Sequence, residues 1–328
     1  MKVPRRATVA YILVCLVLLG MLLVGVVVYD PFYFIQKGSA LYLRRSGVQS
    51  HYVTVDGYRI HYYEALPPAG SPERPPLLLV HGLGASAADW TSMLPEMARA
   101  GYHVYAPDLL GYGLSDRPRD ASYSLQQETQ ISTDFAKVEG LRFFDLGGWS
   151  MGGWIALKMT LDHPKAVHRL VLFDPAGIYF PVDFPFDLFT PKDAAGVDRL
   201  VNYIEPNVHF IHIPAWATKG LLRRYREVGW ISSRSFASML SGRELLDFRI
   251  SAIQQPTLIL WGTEDKLIPY AIGQRMFSLL PNSALVGVGG CGHLAPAECS
   301  SEVVPETIRF LGERVAPSHT ERVVTKPR

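Results

Sequence analysis

Three side chains in this 328-residue sequence have the types and the order that acyl-transfer chemistry needs: Ser150, Asp265 and His293. Ser150 stands in Gly148-Trp149-Ser150-Met151-Gly152, which fits G-x-S-x-G. The apolar run Phe143 to Leu146 precedes it and the helix-like G-W-I-A-L-K-M-T-L follows. A nucleophilic serine on a strand-to-helix turn needs a backbone so tight that the positions two before and two after it must lack a Cβ. Gly148 and Gly152 meet that demand. A bare five-residue pattern often marks only a serine in a glycine-rich turn, and the strand–turn–helix context separates the two readings.

A serine hydroxyl attacks weakly unless a base takes its proton, and the base must itself be oriented. His293, in the glycine-rich G-G-C-G-H-L-A-P, is the expected base. Asp265, in W-G-T-E-D-K-L-I-P just past the strand-like T-L-I-L-W, is the expected acid. Alone, a loop aspartate is ordinarily solvated and a lone histidine is ordinarily a surface or satisfied core residue; the joint pattern carries the assignment. Asp174, in L-F-D-P-A-G after another strand-like run, is the rival acid, and Glu264 has the longer arm. A tetrahedral intermediate also needs two amide donors for its oxyanion. Met151, directly after the serine, and Leu83, in H-G-L-G-A-S, are placed to supply them. His81 is expected as a structural hydrogen-bonding residue, and Asp108, in P-D-L-L-G-Y-G-L-S-D, as a loop brace.

These residues require a scaffold that brings distant strand ends together. H-Y-V-T-V-D-G-Y-R-I-H-Y-Y-E-A reads as a hairpin turning at Asp56-Gly57. Continuous apolar runs at P-P-L-L-L-V, H-V-Y-A, F-F-D-L-G-G-W, L-V-L-F and T-L-I-L-W read as strands buried on both faces, with helical segments between them. The class expected is α/β, a doubly wound, mostly parallel sheet whose site lies beyond the carboxyl ends of its strands. Residues 51–176 and 251–314 form the two parts of this core. Residues 177–250, rich in Phe, Pro and Trp, break the rhythm and read as a helical cap, while 315–328 read as a disordered tail.

The first 50 residues read differently. No charge falls between Arg6 and Asp30, and the run over residues 7–29 is long enough to span a bilayer as a single N-terminal helix. It exceeds the 7–15 residues of a signal-peptide core. Lys2, Arg5 and Arg6 flank it, so the catalytic domain is expected on the non-cytoplasmic side. Elsewhere charge is dispersed, with a net +2 and 19% charged residues, which argues against a nucleic-acid partner. Of three cysteines Cys15 lies in the apolar run, so neither a disulfide framework nor a metal centre is expected, and no cofactor is implied. Cys291 and Cys299, flanking His293, are expected as free thiols, with a bridge open to them only in an oxidising compartment.

Five motifs occur in order: H-G-L-G-A-S-A-A-D-W, P-D-L-L-G-Y-G-L-S-D, G-W-S-M-G-G, W-G-T-E-D-K-L-I-P and G-C-G-H-L-A-P-A-E. Together, over about residues 51–312, they resemble the α/β-hydrolase superfamily, in particular membrane-anchored monoacylglycerol lipases and related bacterial lipases and esterases. The resemblance implies the α/β-hydrolase fold, a cap between the sixth strand and the acid loop, and hydrolysis of a lipid-like carboxylic ester. It is specific for fold and weak for substrate. Carbon–carbon hydrolases of aromatic degradation share S-M-G-G and supply the alternative reaction; a non-catalytic binding module is the alternative from another class. Ser150 argues against epoxide hydrolases and haloalkane dehalogenases, which resemble this set but use an aspartate.

Overall fold

The structure, a computed structural model, describes residues 20, 21, 25, 29, 31–205, 215–313, 315 and 319–325. The sheet begins with the expected hairpin: β1 (Gln49–Val55) and β2 (Tyr58–Ala65) pair antiparallel. Asp56 and Gly57 between them both take positive φ, 50° and 81°, the backbone of a two-residue turn that continues the strand twist. Then follow β3 (Leu77–Val80), β4 (Val104–Pro107), β5 (Phe144–Trp149), β6 (Val167–Phe173), β7 (Thr257–Gly262), β8 (Ser283–Gly289) and β9 (Thr320–Thr325). Among the described residues the order across the sheet is β1-β2-β4-β3-β5-β6-β7-β8-β9, parallel from β4 onward.

The apolar runs alternate faces. Leu77 and Leu79 enter one core with Val171, Phe173, Leu258 and Leu260, while Leu78 and Val80 enter the other with Leu146, Leu170 and Ile259. Helices cover both faces, so the strands need no polar side. After β3 the chain moves to β4 on one side, and it then returns to place β5 on the other. That reversal opens a crevice beyond the carboxyl ends of β3 and β5, where a doubly wound sheet binds ligands.

Helices α1 (Pro31–Arg45), α2 (Leu94–Arg99), α3 (Leu125–Val138), α4 (Met151–Asp162), α5 (Ala194–Ile204), α6 (Ala215–Leu240), α7 (Tyr270–Leu279), α8 (Ala295–Glu298) and α9 (Ser300–Gly312) complete the chain order. Helices α5 and α6 belong to the stretch 177–250 between β6 and β7. The Phe184 ring lies 5.9 Å from that of Phe189 and 6.0 Å from those of Tyr203 and Phe236, and Phe184, Phe189 and Tyr203 pack against the larger core.

Two expectations are corrected. Among the described residues no helix is long and apolar enough to cross a membrane, which overturns the single-pass N-terminal anchor and the placement of the catalytic domain beyond it. Most of the run 7–29 lies outside the described residues. The helix that follows, α1, is 15 residues long, about 22 Å against a hydrocarbon thickness of about 30 Å. It carries Lys37, Arg44 and Arg45, buries Leu43, and packs on β1 and α6. The tail 315–328, expected to be disordered, contributes β9, which pairs parallel with β8. Tyr270 and Gln274 of α7 donate to the Glu321 carboxylate, and Arg322 pairs with Glu306 of α9. Side-chain anchoring thus orders a segment with too little apolar content to announce itself.

Candidate active site

Ser150 joins β5 to α4 with φ 56° and ψ −118°, a region that costs a non-glycine residue about 1–3 kcal/mol and persists only where surroundings enforce it. Its N–H donates to Phe173 O at 3.0 Å, and its carbonyl accepts from Ala176 N–H at 3.1 Å. The two glycines of the motif are sterically compelled. A Cβ on Gly148 would stand 2.3 Å from the Gly152 carbonyl oxygen, and one on Gly152 would stand 2.2 Å from that of Val80.

Three strand ends then bring the three expected side chains together. His293, in the loop after β8, has Nε2 2.9 Å from Ser150 Oγ and Nδ1 2.7 Å from Asp265 Oδ2. The other Asp265 oxygen accepts from the N–H groups of Leu267 and Ile268 at 2.8 and 2.9 Å. With both oxygens engaged, the carboxylate fixes Nδ1–H as donor and leaves Nε2 to accept from the serine hydroxyl. Ser150 is 8%, His293 3% and Asp265 5% exposed, so the relay lies in a low-dielectric setting where charge complementarity counts for more.

Asp174 is near this relay without joining it. Its Oδ1 accepts from Gly262 N–H at 2.7 Å. Complete burial, and next the charge of Asp265, push its carboxyl well above the ordinary carboxylate value. Of the two candidate acids, the one bonded to His293 is Asp265.

Leu83 follows β3 and Met151 opens α4. The Gly82–Leu83 turn runs so close to the nucleophile that a Cβ on Gly82 would lie 3.1 Å from that of Ser150. Among the described residues, no hydrogen bond takes up the N–H of Leu83 or Met151. Met151 also stands at the positive end of the α4 dipole.

The remaining motif residues are structural. His81 donates from Nδ1 to Gly82 O at 2.9 Å and accepts at Nε2 from Leu109 N–H at 3.0 Å; burial holds its pKa below the ordinary value. Asp108 accepts from Ala87 N–H at 2.6 Å, from Leu114 N–H at 2.8 Å and from His61 Nδ1 at 2.7 Å. A cleft of about 270 Å³ adjoins this region, between α1, the segment after Leu83 and α6. Ile35, Tyr225 and Val228 line it together with the charged Asp89, Arg117 and Arg224.

Several contacts of the His293 loop escape sequence reasoning. Trp149 Nε1 donates to the His293 carbonyl at 2.8 Å, and His293 N–H donates to Ile204 O, at the end of α5, at 2.9 Å. Cys291 and Cys299, expected as free thiols, are joined in a disulfide with Cα atoms 6.3 Å apart. Sequence spacing alone does not show that separation, which lies in the range a bridge requires.

Comparison with known proteins places the chain in a family. The model of an alpha/beta hydrolase family matches residues 77–306. A 2-hydroxymuconate semialdehyde hydrolase of Pseudomonas sp. (strain CF600) is 29% identical over 252 residues, covering 73% of this chain and 87% of that protein. Lipase 1 of Psychrobacter immobilis is 26% identical over 240 residues, covering 69% of this chain and 74% of the lipase. Among solved structures, a membrane phospholipase A described as a bacterial virulence factor superposes with a TM-score of 0.75 at 28% identity, covering 92% of this chain and 98% of that one.

Proposed function

The chain belongs to the α/β-hydrolase family, and from that premise we propose that it is a serine hydrolase cleaving carboxylic esters of lipid-like substrates, monoacylglycerols among them, through an acyl-enzyme on Ser150. The observation that carries this reading is the buried relay from Ser150 Oγ through His293 to Asp265, at 2.9 and 2.7 Å.

The chemistry follows from the geometry. His293 Nε2 takes the proton as Ser150 Oγ attacks the ester carbonyl, and Asp265 stabilises the imidazolium that results. The carbonyl oxygen becomes an oxyanion held by the amides of Leu83 and Met151, where one such donor is typically worth about 10²–10³ in rate. As the tetrahedral intermediate collapses, the imidazolium returns its proton to the departing alcohol. Water then enters by the same route in reverse: His293 deprotonates it, the acyl group leaves as a carboxylic acid, and Ser150 regains its proton. The likeness to a lipase and a phospholipase supports the same class.

A second reading has one observation in its favour. The semialdehyde hydrolase named above shares most of the chain, which supports carbon–carbon hydrolysis of a dienone acid at the same triad. Turnover of p-nitrophenyl esters of graded chain length, set against a 2-hydroxy-6-oxo-dienoate, tests the choice. Rates on esters that rise with acyl length and exceed the dienone rate are expected; the reverse ranking overturns the ester reading. Failure of folded protein to take a fluorophosphonate label on Ser150 overturns both.

A further inference from the structure

His293 stands between the end of β8 and a helix of one turn, α8. So short a helix has little stability of its own, and the base therefore depends on what fastens the loop around it. Several hydrogen bonds do so. Besides those from Trp149 and to Ile204, Gly292 N–H donates to Glu298 Oε2 and Glu264 N–H donates to Cys291 O, both at 2.9 Å. The last contact joins the base loop to the residue beside Asp265. The loop also presses on the acid strand, since a Cβ on Gly262 would lie 2.1 Å from the Gly292 carbonyl oxygen.

The disulfide is the covalent member of this set. Cys291 is 0% and Cys299 1% exposed. Cys299 precedes α9, and its carbonyl accepts from the N–H groups of Glu302 and Val303. Helix α9 is seated in the core through Val303, Val304, Phe310 and Leu311. The bridge therefore runs from a firmly packed helix to a residue two positions before the base, closing a loop that contains His293.

We propose that the Cys291–Cys299 disulfide is a positioning device for His293, and that its reduction slows the enzyme by loosening the base from Ser150 and Asp265. This inference rests on the assignment of His293 as the base. Reduction by a dithiol such as dithiothreitol breaks the one S–S bond through a mixed disulfide. Two electrons and two protons pass to the cysteines, which become thiols, while the reductant closes to its own cyclic disulfide. A displacement of about 1 Å at a reacting group can cost about a hundredfold in rate. The slow form therefore needs no unfolding, and reoxidation restores the fast one.

The test uses full-length protein in three forms: oxidised, reduced with its thiols counted, and the double variant Cys291→Ala/Cys299→Ala, which keeps the test available if the buried bridge resists reduction. Fluorophosphonate labelling of Ser150, and kcat, KM and the pH profile on a short-chain p-nitrophenyl ester, are measured at 25 °C with folding checked by circular dichroism. The expected result is a fall of about tenfold or more in kcat and in labelling rate, with KM nearly unchanged, a displaced base limb in the pH profile, and recovery when the thiols reoxidise. A folded reduced or Ala/Ala form that labels and turns over at the oxidised rate overturns the proposal, as does a lowered Tm with unchanged kcat. If the oxidised protein itself does not label, the triad assignment has failed instead, so the two failures are distinguishable.

Discussion

Two serine–histidine–aspartate relays lie on the same sheet. In the first, Ser150 Oγ, His293 and Asp265 are spaced at 2.9 and 2.7 Å. In the second, Ser50 Oγ lies 2.8 Å from His61 Nε2, and His61 Nδ1 lies 2.7 Å from Asp108 Oδ2. Both histidines and both aspartates are buried. The surroundings of the serines differ. Ser50 sits in β1, a strand at the edge of the sheet that runs on to Val55, so no helix N-terminus stands behind it. Its aspartate is shared with the amides of Ala87 and Leu114, and the relay ties the hairpin to the segments after β3 and β4. Relay distances orient a base, but attack also needs a strained turn and amide donors left free for the oxyanion. The first region has the positive-φ turn at Ser150 and, among the described residues, two neighbouring amides that no hydrogen bond takes up; the second has the geometry of a brace.

The largest expected effect separates the two serines. Ser150→Ala should lower kcat on a p-nitrophenyl ester by about six orders of magnitude while the circular dichroism spectrum stays native. Next, Asp265→Asn should cost about 10⁴ in kcat, because the neutral amide no longer holds the imidazole tautomer, whereas Asp174→Asn should cost far less. A worse Asp174→Asn variant would transfer the acid role.

The second region should answer in stability instead. Glu128 Oε2 accepts from Leu110 N–H, two residues past Asp108, and complete burial pushes its carboxyl up from 4.5 to about 8. Between those values the unfolded chain has released a proton that the folded chain retains, so stability falls as pH rises. Glu128→Gln should flatten that decline, by some kcal/mol at pH 8, in urea midpoints measured across the range; an unaltered slope sinks the assignment. Asp108 has the opposite sign. Burial alone would raise its carboxyl, but the His61 hydrogen bond and the neighbouring imidazoles hold it below 3.8. Its contribution is complete above that value and is lost as pH falls through the lower folded one. Asp108→Asn should cost about 2 kcal/mol at neutral pH and reduce the acid sensitivity of the urea midpoint.

The smallest effect belongs to Ser50→Ala: about 1 kcal/mol of stability, the net worth of one hydrogen bond, and kcat within twofold. Peptide mapping after fluorophosphonate treatment sharpens the contrast, since a label on Ser50 would show the edge relay to be reactive and erase the distinction.

The first relay was legible because Ser150 and Asp265 each follow an apolar strand, His293 stands in a glycine-rich loop in the expected chain order, and the glycines around Ser150 are forced by backbone contacts. The second was hidden because it depends on cross-strand register: Ser50 faces Tyr63 and reaches His61 diagonally, and only Asp108 drew notice as a brace. Strand β8, which carries the base loop, went unseen because Gly287 and Gly289 interrupt its apolar run. The disulfide and the Trp149 and Ile204 contacts join residues whose distance only the fold determines. The tail strand β9 has a single pair of valines and takes its place from α7 and α9.

The bond from His293 N–H to the Ile204 carbonyl has a consequence for protein engineering. Exchanging caps between relatives is a common route to new selectivity, and it treats residues 177–250 as a detachable module. Here the graft would carry away one of the fasteners of the base. A chimera would therefore inherit its donor's grip on the imidazole together with its donor's binding surface. Selectivity and turnover would change as one trait, and a junction placed after Ile204 would leave the host's own fastener in place.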